Sequence, residues 1–220
     1  MHFEFLIEDQ SGAKAMEILI PKLLGNKDSY KLKKGYKGLG HIPKDLKPNT
    51  EASKRILLDQ LPRLLSGYGR AQKLGYNLGY IVIICDLDDK VEQQFLSELN
   101  SVLNSCNPKP NTLFCLAIEE FEAWYLGDLA AIRKAYPKAK DNILNGYKND
   151  SICGTWELLA DAVCKGGSKT LKKEGWQAIG KQKSVWAKEI SPHMNVESNL
   201  SPSFNNMRLQ LQSVVEKEST

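Results

Sequence analysis

At 220 residues, with 42% hydrophobic and 25% charged residues and a formal charge of +4, the chain can bury one substantial core and lies far from disordered or fibrous compositions. Its longest apolar runs, near 81–85 and 113–118, are strand-sized, well short of the roughly 18 residues that span a bilayer. The five cysteines, Cys85, Cys106, Cys115, Cys153 and Cys164, include no Cys-x-x-Cys pair, which argues for reduced core thiols over a zinc knuckle; with an acid among the first five residues in place of a signal peptide's positive charge, a cytoplasmic protein is expected.

Taken in chain order, residues 3–7 are apolar and predict a strand, the run Glu8-Asp-Gln-Ser-Gly12 a tight turn, and residues 13–24 a helix. Residues 25–48 are rich in Lys, Gly and Pro and predict a long, largely irregular excursion, a feature that is often functional. From 51 to 74, Ile56, Leu57, Leu61, Leu64 and Leu65 keep helical spacing, with a kink or break expected at Pro62 and Gly67. The β-branched run from Tyr80 to Asp86 predicts a central strand buried on both faces. A helix over 90–103, a proline-bearing turn, a strand over 113–118 and a helix beginning at Glu119 follow. Strands alternating with helices imply a parallel sheet with right-handed crossovers.

Beyond Gly127 the pattern becomes helical, over 128–135, 156–163, 177–190 and 204–215. The fold class expected is therefore α/β, a mostly parallel Rossmann-like sheet flanked by helices. The division expected is a core at 1–127 that includes the basic excursion at 25–50, with a helical carboxy-terminal extension at 128–220 packed on it.

Acidic residues stand after each expected strand: Glu8, then Asp86 and Asp88, then Glu119, Glu120 and Glu122. In open parallel sheets ligands bind beyond the carboxyl ends of the strands, so these groups are expected to converge. In extended chain, Asp86 and Asp88 would point to one side. Two such hard oxygen donors suit Mg²⁺ or Mn²⁺. Glu119 and Glu122, three apart at a helix start, would share a face and serve as further metal ligands. Glu8 would act as general acid or base and is also a candidate metal ligand. Asp89 and Glu120 read as capping or solvent-exposed residues.

Positive charge is concentrated in two stretches. One runs from Lys22 to Lys47 and includes Lys33, Lys34 and Lys37; the other runs from Lys165 to Lys188 and includes Lys181 and Lys183 beside Trp176 and Trp186. These residues and Arg70 are the candidates for contact with a nucleic-acid backbone, against the plainer reading of a solvated lysine-rich surface.

The motifs Glu8-Asp-Gln-Ser-Gly12, Cys85-Asp-Leu-Asp-Asp89 and Ile118-Glu-Glu-Phe-Glu-Ala-Trp124 resemble those of the Toprim-like proteins of domain-of-unknown-function family 4276. Gly35-Tyr-Lys-Gly38, the run from Leu64 to Arg70 and Ser201-Pro-Ser-Phe204 extend the likeness over nearly the whole chain. Toprim domains occur in topoisomerases, primases and OLD-type nucleases. The resemblance implies that Glu8 is the acid/base glutamate, that Asp86 and Asp88 hold metal, and that Glu119 and Glu122 belong to the family's acidic motif. It also implies a setting beside an AAA or ABC-type ATPase in bacterial anti-phage defence. Where Toprim glutamates are closely followed by glycine, Asp9-Gln10-Ser11 intervenes here before Gly12.

The expected function is a Mg²⁺- or Mn²⁺-dependent nuclease acting on DNA or RNA. A non-catalytic nucleic-acid-binding or regulatory subunit with a structural acidic pocket is the alternative, and a phosphatase or nucleotide-sugar transferase built on Asp86-Leu-Asp88 is a third.

Overall fold

The protein is described by a computed structural model over residues 1–25, 28–33, 36–38, 40–44 and 56–218. The apolar runs form strands β1 (His2–Ile7), β3 (Tyr80–Asp86) and β4 (Thr112–Ala117). With β2 (Ser29–Lys33) they make a sheet of order β2-β1-β3-β4 in which every pairing is parallel.

Strand β2 lies within the excursion expected to be irregular. Its sequence, Ser-Tyr-Lys-Leu-Lys, carries little apolar patterning because it is an edge strand whose first three side chains are exposed. Lysines on such an edge discourage pairing with further chains. The neighbouring strand supplies the register, with Ser29 to Lys33 pairing continuously with His2 to Leu6 of β1. At the other flank of β1, Gly79 has φ +52 and a Cβ there would stand 1.8 Å from the carbonyl oxygen of His2, so only glycine lets the chain enter β3 this close to β1.

Side chains alternate between the two faces. Phe3, Phe5, Ile7, Val82, Ile84, Cys115 and Ala117 enter one core, with Ala15, Met16 and Leu19 of α1 (Gln10–Leu24). Leu6, Ile81, Ile83, Cys85 and Leu116 enter the other, covered by Leu57, Leu61 and Leu65 of α2 (Leu57–Lys73) and by Phe95 and Leu99 of α3 (Glu92–Asn104). Helix α2 runs unbroken through Pro62 and Gly67, since its leucine stripe is fully buried and that packing outweighs the local preference to stop.

The remaining helices are α4 (Glu122–Leu126), α5 (Leu129–Ala135), α6 (Asp141–Leu144), α7 (Thr155–Val163), α8 (Gly167–Glu174), α9 (Trp176–Ile190) and α10 (Pro202–Glu218). Helix α9 packs on α1, and α10 packs on β4 and α1. Trp186, Phe204 and Met207 belong to the same buried cluster as Phe3 and Phe5, so residues after 127 and the sheet share one core. Among the described residues, no helix is long and apolar enough to cross a membrane.

Candidate acidic site

Parallel register brings the carboxyl ends of β1, β3 and β4 to one edge, with Ile7 beside Ile84 and Asp86 beside Ala117. The ladder continues past the strands: Glu8 N–H donates to Ile84 O at 3.1 Å, Leu87 N–H to Ala117 O at 2.9 Å and Asp88 N–H to Glu119 O at 2.8 Å. These bonds stitch the three acidic loops together. Glu8 Oε2 accepts the backbone N–H of Asp86 at 2.8 Å, which seats the first carboxylate directly on the second acidic strand end.

The chain after Glu8 is fixed by Asp9, the N-cap of α1, whose carboxylate accepts from Gly12 N–H at 2.6 Å and from the Ser11 hydroxyl. The backbone N–H of Gly12 is thus satisfied internally. The three residues between Glu8 and Gly12 form a capping turn, and Glu8 is left projecting toward Asp86.

Asp86 and Asp88 do not share one side of an extended strand. The strand ends at Asp86, and Asp88 sits in a turn with φ +51, a left-handed conformation that aspartate tolerates better than most residues. Asp88 is exposed and pairs with Lys90 at 3.1 Å, while Asp86 is partly buried. The charge of Asp88 still opposes the charged form of Glu8.

Glu119 departs furthest from expectation. It adopts φ +64, and its carboxylate accepts the N–H groups of Cys153, Gly154 and Thr155 at 3.2, 2.7 and 2.9 Å. That carboxylate caps the first turn of α7, where Gly154 has no side chain to do so. Its oxygens are turned away from the face shared with Glu122 in the sequence expectation. Glu119→Ala is expected to destabilise the protein by about 1–2 kcal/mol, as loss of a helix cap does. Faster amide exchange confined to the start of α7 is the measurement that checks it.

Glu122 is 2% exposed and lies 3.1 Å from Lys183, which also donates to Glu120 at 3.1 Å. The Glu122 contact is an ion pair outside aligned hydrogen-bond geometry. Glu120, read from sequence as capping or exposed, is thus a partner in a largely buried cluster. Lys183, expected to face a phosphate backbone, is instead an internal cation with a side chain 14% exposed.

The charges explain each other. Burial, then the charges of Asp88 and Asp9, push the Glu8 carboxyl up to about 8, against the pull of the Asp86 N–H and Lys90. Burial and then Glu8 hold Asp86 well above the usual carboxylate range, with Lys183 opposing. Burial pushes Glu122 up to about 7, again against Lys183, and raises Glu120. Burial alone would lower Lys183, but the carboxylates of Glu122, Glu120 and Asp86 raise it above its ordinary value.

Of the other candidates, Lys37, Arg70 and Lys181 are exposed, and Lys33 is half-exposed on the sheet edge, 3.8 Å from the buried carboxylate of Glu4. Lys34 lies outside the described residues. Arg70 and Lys181 are not brought together, since α2 and α9 cover opposite faces of the sheet.

The donors suit a hard divalent cation: carboxylates of adjoining loops whose mutual repulsion a cation would relieve. Among the described residues, no three His, Cys, Asp or Glu side chains form a group that could hold a metal ion. Mg²⁺ commonly uses one or two carboxylates and fills its shell with water and substrate phosphate, and Asp86 and Asp88 are the residues that would hold it in that mode.

A parallel α/β sheet with acidic groups gathered beyond the carboxyl ends of its strands defines the class. The family follows: the model for a domain of unknown function, DUF4276, matches residues 7–212, and the chain belongs to that family. No curated protein and no solved structure matches it.

Proposed function

We propose that the protein is a Toprim-like, Mg²⁺- or Mn²⁺-dependent nuclease that hydrolyses phosphodiester bonds of DNA or RNA. The observation that carries this reading is the Glu8 carboxylate resting on the Asp86 backbone, with Asp88 in the next turn, at adjoining ends of parallel strands. The reading is supported by the Toprim resemblance, which assigns the acid/base role to Glu8 and the metal to Asp86 and Asp88. Asp86 and Asp88 are the residues that would hold the metal, which when bound stabilises negative charge on the phosphate and activates water. Glu8 is positioned to hold or move a proton at its carboxylate, which its environment keeps poised near neutrality. Lys33, Lys37, Arg70 and Lys181 are the basic residues proposed to meet the nucleic acid, Arg70 and Lys181 from elements on opposite faces of the sheet. The reading places the protein in the cytoplasm beside an AAA or ABC-type ATPase, as an effector of anti-phage defence.

One observation favours the alternative of a non-catalytic binding or regulatory subunit: Lys183 already neutralises part of the acidic cluster from inside. Cleavage of plasmid, single-stranded DNA and total transfer RNA with Mg²⁺ or Mn²⁺ separates the two. Cleavage abolished by chelator, and reduced about 10³-fold or more by Asp86→Ala with Asp88→Ala, is the expected result. Equal cleavage by both proteins would sink the site assignment, and nucleic-acid affinity without any cleavage would favour the alternative.

A further inference from the structure

Helix α7 connects the acidic site to a second feature of the surface. Its first residue, Thr155, donates its N–H to Glu119 and its hydroxyl to Glu120, at 2.9 and 3.4 Å. Its second, Trp156, is 6% exposed and forms the wall of a cavity of about 400 Å³ lined also by Glu157, Lys172, Gly175, Trp176 and Ile179. Gly175, with φ +91, ends α8 and begins α9 in a conformation that favours glycine, and the corner it makes presents Trp176 as the first residue of α9.

Trp176 is 83% exposed, an unusual state for the largest apolar side chain. Lys172 stands 5.5 Å from the centre of the Trp156 ring and 3.1 Å from the Glu157 carboxylate. Between residues 165 and 183 the chain has six lysines and a single acid, Glu174, and apart from Lys183 those lysines are exposed. A flat aromatic face, a cavity of small-molecule size behind it and a surround of lysine are the parts from which single-strand binding sites are built. A protein partner fits less well, since lysine is depleted from protein interfaces.

We infer that the cavity between Trp156 and Trp176 receives an unpaired nucleobase, making single-stranded nucleic acid the substrate class of the acidic site. The base stacks on Trp176, and the exposed lysines of α8 take its flanking phosphates. Glu157 offers an acceptor to an exocyclic amine or ring N–H, a contact that base edges can use and phosphates cannot. The claim about binding stands on this cavity; the claim about substrate rests on the nuclease reading above.

Binding is measured on the full chain in chelator, with fluorescent short DNA and RNA single strands of one sequence and their matched duplexes. The wild type is expected to prefer single strands, the DNA and RNA arms showing which sugar is accepted. Trp176→Ala should weaken single-strand binding about tenfold, leave duplex binding within about twofold, and be largely restored by Trp176→Phe. Because Trp176 is exposed, none of these variants should disturb folding. Duplex preference in the wild type, unchanged single-strand binding by Trp176→Ala, or no binding of any oligonucleotide would overturn the inference. Cleavage is assayed separately with Mg²⁺: Trp176-dependent single-strand binding without cleavage would sink only the nuclease reading. Cleavage of duplex alone, unimpaired by Trp176→Ala, would sink only the base pocket.

Discussion

Lys183→Met is expected to destabilise the fold by about 3–5 kcal/mol at pH 8, and by much less at pH 5, in denaturant midpoints. The lysine lies 3.1 Å from both Glu120 and Glu122, and removing it leaves carboxylates buried without a counter-charge. Glu122 titrates in the fold at about 7 against an ordinary value of 4.5. Between those values the native protein holds more protons than the unfolded chain, so this group's contribution to stability falls as pH climbs through the window. Lys183 is one of the groups holding the Glu122 value down. Without it the folded value moves higher still, the gap from the unfolded value widens, and the loss grows toward alkaline pH. Adding Glu122→Gln to the methionine variant should recover a large part of the stability at pH 8, since an amide carries no charge to strand. Equal losses at pH 5 and pH 8, or no recovery in the double variant, would show that Lys183 acts through packing alone.

That residue also shows what sequence reading could and could not reach. Charge pattern alone groups Lys183 with its basic neighbours, yet its position is informative: four residues after Ile179, three before Trp186 and seven before Ile190, it lies on the buried stripe of α9. A lysine on an apolar stripe implies a buried acidic partner. Which acid that was could not be read, because Glu120 lies 63 residues away and meets Lys183 through tertiary packing.

The strands β1, β3 and β4 were legible because each is a short apolar run ending in acid, and their parallel order followed from the helices between them. Strand β2 was not, since an exposed edge strand needs only its backbone to pair. The same logic divides the site. Glu8 and Asp86 were legible from their place after strands. Asp88 and Glu119 were misplaced because both take left-handed backbone conformations that neither residue type advertises, and one such residue redirects everything a periodicity argument assumes. The anchoring of Glu119 to the start of α7 depends on a contact with residues more than thirty positions later.

Glu8→Gln is expected to give the most informative loss of activity, about 10²- to 10⁴-fold in metal-dependent cleavage at saturating substrate, with nucleic-acid affinity retained. The amide keeps an oxygen to accept the Asp86 N–H, so the seam between β1 and β3 is preserved and only the capacity to exchange a proton is lost. Stability should change in the opposite sense. Glu8 titrates at about 8 in the fold, well above its ordinary 4.5, so its ionisation opposes folding increasingly as pH rises through that range. Glutamine removes the penalty, and the variant should gain on the wild type from pH 5 to pH 9 by a few degrees in Tm, where about 1 kcal/mol corresponds to roughly 2–4 °C in a domain of this size. A variant more stable at alkaline pH yet nearly inactive would separate a carboxylate kept for chemistry from one kept for the fold. A variant that cleaves at the wild-type rate would remove Glu8 from proton transfer and leave it as a strand-end acceptor for Asp86.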